Sequence, residues 1–451
     1  MTDLPLRGVT RTAKLATLPL GFAGRTAWAV GKRVGGKPAE LVAQELQART
    51  ADHVFSVLGQ LKGGAMKVGQ ALSIMEAALP EEMIAPYRAT LTKLQDAAPP
   101  MPTEKVHTIL AEQLGPRWRT AKFLEFDDQP AAAASIGQVH KAVWRDGREV
   151  AVKIQYPGVA KALMSDLTQL SRVAKLAGGL IPGIDMGPIT AELMERMSEE
   201  LDYDLEARNQ KSFARAFRGH PHIVVPDVLA QSERVLVTEW IDGRPLSDII
   251  ATGTPSERDD AADLYLEFLV TGPGLARLLH ADPHPGNYRL TPDGRLAVFD
   301  FGAVNRLPDG LPPAMGQILS LALRGEAEEM TARLREEGFI RESISIDPDQ
   351  LLSYLSPFLA PLRSAQFTFS RDWLRSLSTH INDPRNPDWV VGTKLNLPPD
   401  YLLIHRVWLG GIGVLCQIGG TVAGREKIES VFPGADFPSL DEADDSDEDL
   451  F

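Results

Sequence analysis

The chain has very little cysteine, and it lacks the phosphate-binding loop of the commonest ATPases. Cys416 is the only cysteine in 451 residues, so one chain cannot form an internal disulfide, and we expect a reducing, cytoplasmic setting. The pattern G-x-x-x-x-G-K-[ST] is absent, which disfavours a transporter-type ATPase. The formal net charge of −13 disfavours nonspecific binding of nucleic acid.

The first 50 residues differ from the rest of the chain in their charge. Between Asp3 and Glu40 there are seven Lys or Arg side chains and no acidic one, with apolar residues such as Phe22 and Trp28 among them. This mixture predicts a segment that lies on a membrane surface, and so a peripheral membrane contact. Pro19 and Arg25 interrupt its short apolar region, which disfavours a signal peptide.

A second apolar stretch, residues 407–424, leaves two interpretations open. Only Gln417 and Thr421 are polar among its eighteen residues, so it has nearly the length of a transmembrane span. Its six glycines suit close helix packing instead, and we favour a buried helix.

The most informative segment runs from His280 to Asn287. Asp282 and Asn287 lie five residues apart, the separation found in the catalytic loop H-R-D-x-x-x-x-N of kinases. Asp300 opens an Asp-Phe-Gly tripeptide just after the apolar run 296–299, which predicts a strand that ends at a metal-binding carboxylate. Phosphoryl transfer needs such metal ligands, here Asn287 and Asp300, and a carboxylate near the acceptor, here Asp282.

The same segment has another interpretation. His280, Asp282 and His284 form an H-x-D-x-H pattern that zinc could use. Two prolines prevent a regular helix or strand there, and a zinc site needs further ligands. We therefore favour phosphoryl transfer.

A lysine for the nucleotide precedes this segment in the chain. The residues 139–153 alternate between apolar and polar around the turn Asp146-Gly147, which predicts two strands. Lys153 closes the Val-Ala-Val-Lys tetrapeptide and matches the strand lysine that neutralises nucleotide phosphates in kinases.

Four motifs between about residue 55 and about residue 425 carry a resemblance to a known family. They are Lys67-Val68-Gly69-Gln70, Ala132-Ala133-Ala134-Ser135, Glu200-Leu201-Asp202 and the segment 280–287. With them the chain resembles the UbiB or AarF family of atypical kinases, which share K-x-G-Q, an alanine-rich loop and E-x-D. Ordinary protein kinases lack these three motifs and use a glycine-rich loop.

The resemblance implies an α+β, two-lobed, protein-kinase-like fold with an N-terminal helical extension and a helix-rich large lobe. An alanine run alone would favour a helix, but its place before the Lys153 strand favours a nucleotide-binding loop. The predicted organisation is a basic lead (1–50), a helical extension (51–125), a small lobe (126–240), a large lobe (241–432) and a disordered acidic tail (433–451).

Site roles follow from the same resemblance. Ala132, Ala133, Ala134, Ser135 and Lys153 are expected to bind ATP, with Glu206 paired to Lys153. Lys67 and Gln70 lie on a predicted amphipathic helix that covers the active site, with Lys67 reaching Glu200 and Asp202. A helix over about 190–217 would set Asp202 and Glu206 on one face, since they are four apart.

The function implied is an atypical kinase or ATPase that uses ATP and Mg²⁺. Family members are linked to quinone and isoprenoid-lipid metabolism, so the expected ligand is a small molecule or lipid. The alternative is a nucleotide-dependent lipid-binding or chaperone-like module with little phosphoryl transfer.

Overall fold

The computed structural model of the protein describes most of the chain from residue 100 onward. The described residues are 100–134, 136–160, 201–382, 385–386 and 388–440, together with Met164, Thr168 and Ser198. Several predicted features lie outside them: Lys67, Gln70, Ser135, Glu200, the basic lead 1–50, residues 51–99 of the extension, and residues 441–451 of the acidic tail.

The chain divides into two compact units. The described part of the first unit comprises residues from 100 to 206 and from 228 to 240. Its elements are α1 Thr103–Leu114, α2 Trp118–Lys122, β1 Phe123–Ala133, β2 Gly137–Trp144, β3 Glu149–Gln155, β5 Val228–Ser232 and β6 Val235–Glu239. The five strands form an antiparallel sheet in the order β1-β2-β3-β6-β5.

Alternation along β3 explains how this sheet builds a core. Val150, Val152 and Ile154 are fully buried, and because successive strand residues point to opposite faces, Lys153 points to the other face. The buried set packs with residues of α1 and α2 in one hydrophobic cluster. The described helices α1 and α2 thus share the core of the sheet, whereas the sequence pattern placed these residues in the 51–125 extension.

Gly137, two residues after the alanine-rich motif, is needed where two strands approach each other. A Cβ at Gly137 would lie 2.2 Å from the carbonyl oxygen of Ile154. We therefore expect Gly137→Ala to lower the free energy of unfolding of the first unit by about 1–3 kcal/mol, the usual cost of overpacking. Chemical denaturation measures this loss. Gly274→Ala is the control, since a Cβ there meets nothing within 4 Å; equal effects of the two changes would contradict the explanation.

A buried histidine in the same unit makes stability depend on pH. His140 Nδ1 donates to the carbonyl of Asp127 and its Nε2 accepts from the Gln138 amide, both at 2.8 Å. Burial lowers the pKa of His140 below its usual 6.5. The unfolded chain therefore binds this proton more readily, and the free energy of unfolding falls as pH drops below about 6.5.

Urea midpoints at pH 7.5 and pH 5.5 test this linkage. The wild-type midpoint should fall with acidification. His140→Leu should be less stable at pH 7.5, because it loses both hydrogen bonds. It should nevertheless lose less stability between the two pH values; an unchanged loss would show that other groups cause the dependence.

The helix that carries Glu206, α3 Tyr203–Ala216, begins in the first unit and continues into the second. The described part of the second unit comprises residues 207–227 and those from 241 to 440. Its elements are β4 Ile223–Val224, β7 Arg244–Pro245, α4 Leu246–Thr252, α5 Pro255–Ala276, β8 Leu278–His280, a 3-10 turn Pro285–Asn287, β9 Tyr288–Leu290, β10 Leu296–Val298, β11 Val304–Arg306, α6 Pro313–Leu323, α7 Ala327–Glu336, α8 Pro348–Leu359, a 3-10 turn Ala360–Leu362, β12 Phe367–Thr368, α9 Arg371–Asn382, α10 Trp389–Lys394, α11 Pro399–Ile418, β13 Thr421–Val422 and α12 Gly424–Val431.

Helix α5 lies at the centre of the second unit's core. It begins with a capping box, in which Thr254 Oγ1 accepts from the Glu257 amide and the Glu257 carboxylate accepts from the Thr254 amide. The backbone hydrogen bond from Thr254, with help from Arg244, lowers the pKa of Glu257 to about 2. Ten residues of α5 are buried, and they hold the short strands that carry the functional segments.

The apolar stretch 407–424 is mostly helix, since α11 ends at Ile418 and Gly419 takes a left-handed backbone. Among the described residues, α11 is the one helix long and apolar enough to cross a membrane. Half of its most apolar 18-residue stretch is buried within the protein. Two glycines allow its close packing: a Cβ at Gly411 would lie 2.6 Å from Leu269 on α5, and one at Gly410 would lie 2.8 Å from Pro283. The buried face of α11 therefore belongs to the core, while Leu402 and Leu409 are exposed.

Candidate functional site

The structure pairs Lys153 with Glu206, two residues that are 53 positions apart. The Lys153 ammonium donates to both carboxylate oxygens of Glu206, at 2.8 and 3.0 Å. The Glu206 side chain is 3% exposed and that of Lys153 is 16% exposed. Such a shielded, charge-assisted contact fixes the lysine head group more firmly than a surface ion pair would.

Strand order and helix geometry explain why this pair forms. Lys153 lies in the middle strand of the sheet, opposite Val139 of β2 and Leu236 of β6. Its side chain is on the face of the sheet opposite to the buried valines of β3. Glu206 lies in the first turn of α3, and the ring of Tyr203, the first residue of the same turn, lies 5.2 Å from the Lys153 ammonium. The first turn of α3 thus supplies both a carboxylate and an aromatic face to one cation.

The predicted common face of Asp202 and Glu206 is wrong. Helix α3 begins at Tyr203, and Asp202 precedes it with an Oδ1 that accepts from the Leu205 amide at 2.8 Å. Its carbonyl accepts from the Glu206 amide at 3.0 Å. Asp202 therefore caps the helix, a frequent role for aspartate that satisfies backbone donors left open at a helix start.

The alanine-rich segment forms the tip of the β1–β2 hairpin. Ala132 and Ala133 end β1 and pair with Val139 and Gln138, and Ala134 and Gly137 exchange backbone hydrogen bonds across the tip. Ala132 and Ala133 are exposed and Ala134 is half-buried. The predicted loop is thus the end of a hairpin, and the exposed side chains of Ala132 and Ala133 there are single methyl groups.

In the second unit, the predicted catalytic segment follows β8. This strand pairs with β11, and the 3-10 turn then ends at Asn287, immediately before β9. The Asn287 amide nitrogen donates to the Asp282 carbonyl at 3.2 Å, so the two residues of the motif are tied together. Asn287 is only 8% exposed, and this bond leaves its Oδ1 as the amide oxygen that a cation can use.

Asp300 follows β10 as the sequence predicted, because the strand ends at Val298. Its φ of 59° lies in the left-handed region, which costs a residue other than glycine about 1–2 kcal/mol. Its Oδ1 accepts from the Gly302 amide at 3.3 Å. The surrounding contacts must hold this turn, since isolated residues avoid it.

His280 is one of the groups that hold the turn. Its Nε2 donates to the carbonyl of Asp300 at 2.9 Å, and its Nδ1 faces the hydroxyl of Tyr288 at 3.5 Å. Burial lowers the pKa of His280, against the opposing effect of Asp282 and Asp300. A neutral imidazole with its proton on Nε2 fits both contacts.

The zinc interpretation gains no support from these positions. His280 Nε2 is bound to a backbone carbonyl, and His284 Nδ1 accepts from the Gly286 amide at 3.1 Å. In the described ranges no three His, Cys, Asp or Glu side chains are grouped to hold a metal ion.

The donor set suits Mg²⁺ better. Magnesium takes hard oxygen ligands, usually one or two carboxylates completed by phosphate oxygens and water. Asp300 offers a carboxylate, and Asn287 offers the amide oxygen that its own hydrogen bond leaves available. These residues would hold the cation, which would supply charge neutralisation for phosphate groups.

Three supporting contacts were not predicted from the sequence. Asn209 donates to the carbonyl of Phe301 at 3.1 Å, and Tyr265 donates to the carbonyl of Pro283 at 3.1 Å. His280 acts through a backbone carbonyl rather than as a metal ligand. These contacts connect residues 18 to 92 positions apart, and no local pattern reveals such pairings.

Known proteins resemble this chain over most of its length. Residues 93–334 match the family described as ABC1 atypical kinase-like domain. Atypical kinase coq-8, mitochondrial, from Caenorhabditis elegans is 32% identical over 356 residues, which cover 75% of this chain and 46% of that protein. Protein ACTIVITY OF BC1 COMPLEX KINASE 1, chloroplastic, from Arabidopsis thaliana is 33% identical over 318 residues, 68% of this chain and 45% of that protein. The chain spans about half the length of the curated relatives it matches.

A solved structure is similar as well. The structure of the Rv3197–erythromycin complex from Mycobacterium tuberculosis matches with a TM-score of 0.69 and 40% sequence identity. The match covers 89% of this chain and 100% of that chain. The fold is therefore the kinase-like, mixed α+β fold that the sequence predicted.

Proposed function

We propose that this chain, which belongs to the ABC1 atypical kinase-like family, binds MgATP and either transfers or hydrolyses its terminal phosphoryl group. One observation carries the proposal. Lys153 and Glu206, which the family resemblance predicted to be partners, form a bidentate ion pair with a buried carboxylate. In kinases such a pair presents the lysine to nucleotide phosphates.

Each remaining residue has a defined part in this proposal. Lys153 contacts the nucleotide phosphates, and the hairpin residues Ala132, Ala133 and Ala134 contact the nucleotide. Asn287 and Asp300 hold Mg²⁺, which neutralises the phosphate charge. Asp282 orients the acceptor hydroxyl or water and takes its proton.

The regulatory role of the K-x-G-Q helix also remains a proposal. Lys67, Gln70 and Glu200 lie outside the described residues. Asp202 lies within them and caps α3, so a contact from Lys67 would act on the residue that starts the Glu206 helix. This is a direct way for Lys67 to influence the Lys153–Glu206 pair.

The proposed ligand is a quinone-related or isoprenoid lipid, as the UbiB resemblance implies. A peripheral contact with the membrane would bring the protein to such a ligand. The basic, apolar composition of residues 1–50 supports this contact, since basic amphipathic segments bind anionic membrane surfaces.

The test is ATP turnover with label in the γ-phosphoryl group. The purified chain is incubated with Mg²⁺ and phosphatidylcholine vesicles, with or without an isoprenoid benzoquinone or an isoprenoid phenol. Released phosphate and any labelled lipid are measured separately. We expect Mg²⁺-dependent turnover that rises with the isoprenoid vesicles.

The outcomes separate the two classes of function. A labelled lipid identifies a kinase with a lipid acceptor. Stimulated release of phosphate without labelled lipid favours a nucleotide-dependent lipid-binding module. Absence of turnover and of labelled product under every condition contradicts the enzymatic proposal.

A further inference from the structure

The turn at Asp300 is held through two consecutive backbone carbonyls. His280 Nε2 donates to the carbonyl of Asp300 at 2.9 Å. Asn209 Nδ2 donates to the next carbonyl, that of Phe301, at 3.1 Å. One donor comes from the strand before the catalytic segment and the other from helix α3, so the turn is fixed from two elements.

Helix α3 also holds the side chain of Phe301. The rings of Phe213 and Phe301 lie 4.9 Å apart, and Phe301 is fully buried. Asn209 and Phe213 are four residues apart and therefore lie on one face of α3. That face of α3 contacts Phe301 twice, through the hydrogen bond from Asn209 to its carbonyl and through the packing of Phe213 against its ring.

These contacts matter because Asp300 has an unfavourable backbone. Its φ of 59° persists only where the surroundings over-determine it. Release of the Phe301 carbonyl would free the peptide between Phe301 and Gly302 to rotate. The Gly302 amide of that peptide donates to Asp300 Oδ1 at 3.3 Å, so the direction of the Asp300 carboxylate would change with that rotation.

We propose that Asn209 is a positioning residue that holds Asp300 in its metal-binding orientation and so sets the affinity of the nucleotide site for Mg²⁺. This inference rests on the proposed function, in which Asp300 binds the metal. Asn209 itself touches neither metal nor nucleotide in the proposal. Asn209 lies one helical turn after Glu206 on α3. The same helix therefore carries the carboxylate that pairs with Lys153 and the amide that donates to the Phe301 carbonyl.

The experiment measures how the ADP-induced rise in melting temperature depends on Mg²⁺ concentration. Asn209→Leu removes the amide donor and keeps a side chain of similar size. Losing one hydrogen bond should raise the Mg²⁺ concentration for half of the effect about fivefold to tenfold. The smaller rise with ADP in EDTA should stay within about twofold of wild type.

The neighbouring residue offers a matched control. Gln210 donates its side-chain amide to the carbonyl of Pro226 at 2.8 Å, away from the Asp300 turn. Gln210→Met should lower the melting temperature without moving the Mg²⁺ midpoint. Asn209→Asp is the second variant, because it keeps the shape of the side chain, removes the donor and should also weaken Mg²⁺ dependence.

Three results overturn the inference. One is a wild-type Mg²⁺ midpoint in both Asn209 variants. Another is an equal shift of the midpoint in Gln210→Met, which would show a general effect of lower stability. If wild-type protein itself shows an ADP effect without any Mg²⁺ dependence, the proposed metal site fails and the role of Asn209 fails with it.

Discussion

Replacing Asp300 by asparagine should lower ATP turnover by at least about 100-fold, the usual loss when one electrostatic contact to reacting groups is removed. The asparagine has the same size and can still accept from the Gly302 amide. It lacks the negative charge that a divalent cation requires from its few protein ligands. Steady-state phosphate release measures the loss, and the Mg²⁺-dependent part of nucleotide binding should disappear with it.

A second aspartate provides the control for this change. Asp293 lies in the β9–β10 connection, seven residues before Asp300, and its side chain is 57% exposed. It accepts from Thr291 and Arg295, whose hydrogen bonds lower its pKa. Asp293→Asn should keep wild-type turnover. Equal losses in the two variants, or full activity of Asp300→Asn, would remove Asp300 from the proposed metal site.

Replacing Lys153 by methionine should have the largest effect on stability. The Glu206 carboxylate is 3% exposed, and taking away the ammonium that contacts both its oxygens leaves a buried charge uncompensated by this partner. Breaking such a pair costs about 3–5 kcal/mol. Denaturant unfolding should show this decrease, and affinity for ATP should fall about tenfold or more through loss of a charge-assisted contact.

Two further variants separate stability from function here. Lys141 on β2 pairs with Glu149 at 2.8 Å, but the two side chains are 36% and 50% exposed, so Lys141→Met should cost less than about 1 kcal/mol. The double variant Lys153→Met with Glu206→Leu should recover much of the lost stability, because both charges of this pair are removed together. It should still bind ATP weakly. A double variant that restored ATP binding would show that the pair serves only folding.

The sequence predicted those site residues that short, local patterns place on a strand or at its end. Alternating residues located β3 and hence Lys153, and an apolar run located β10 and hence Asp300. The Lys153–Glu206 pair was predicted through the family resemblance, and its geometry is now observed. No spacing rule within the chain joins residues 53 positions apart.

Contacts made by backbone atoms could not be predicted. The acidic run before Glu206 resembled a continuous helix, yet Asp202 precedes α3, where its side-chain oxygen accepts from the Leu205 amide, one of the donors left open at a helix start. The need for Gly137 arises from the carbonyl of Ile154 on a neighbouring strand. The donors to the Asp300 turn, His280 and Asn209, depend equally on tertiary structure.

The most direct test of the central claim is the thermal stability of the purified chain with ATP or ADP, with and without Mg²⁺. A ligand that binds only the native state raises the melting temperature by mass action. We predict a rise with either nucleotide that is larger when Mg²⁺ is present. An unchanged melting temperature with every nucleotide, at concentrations into the millimolar range, would contradict a kinase-type nucleotide site in this protein.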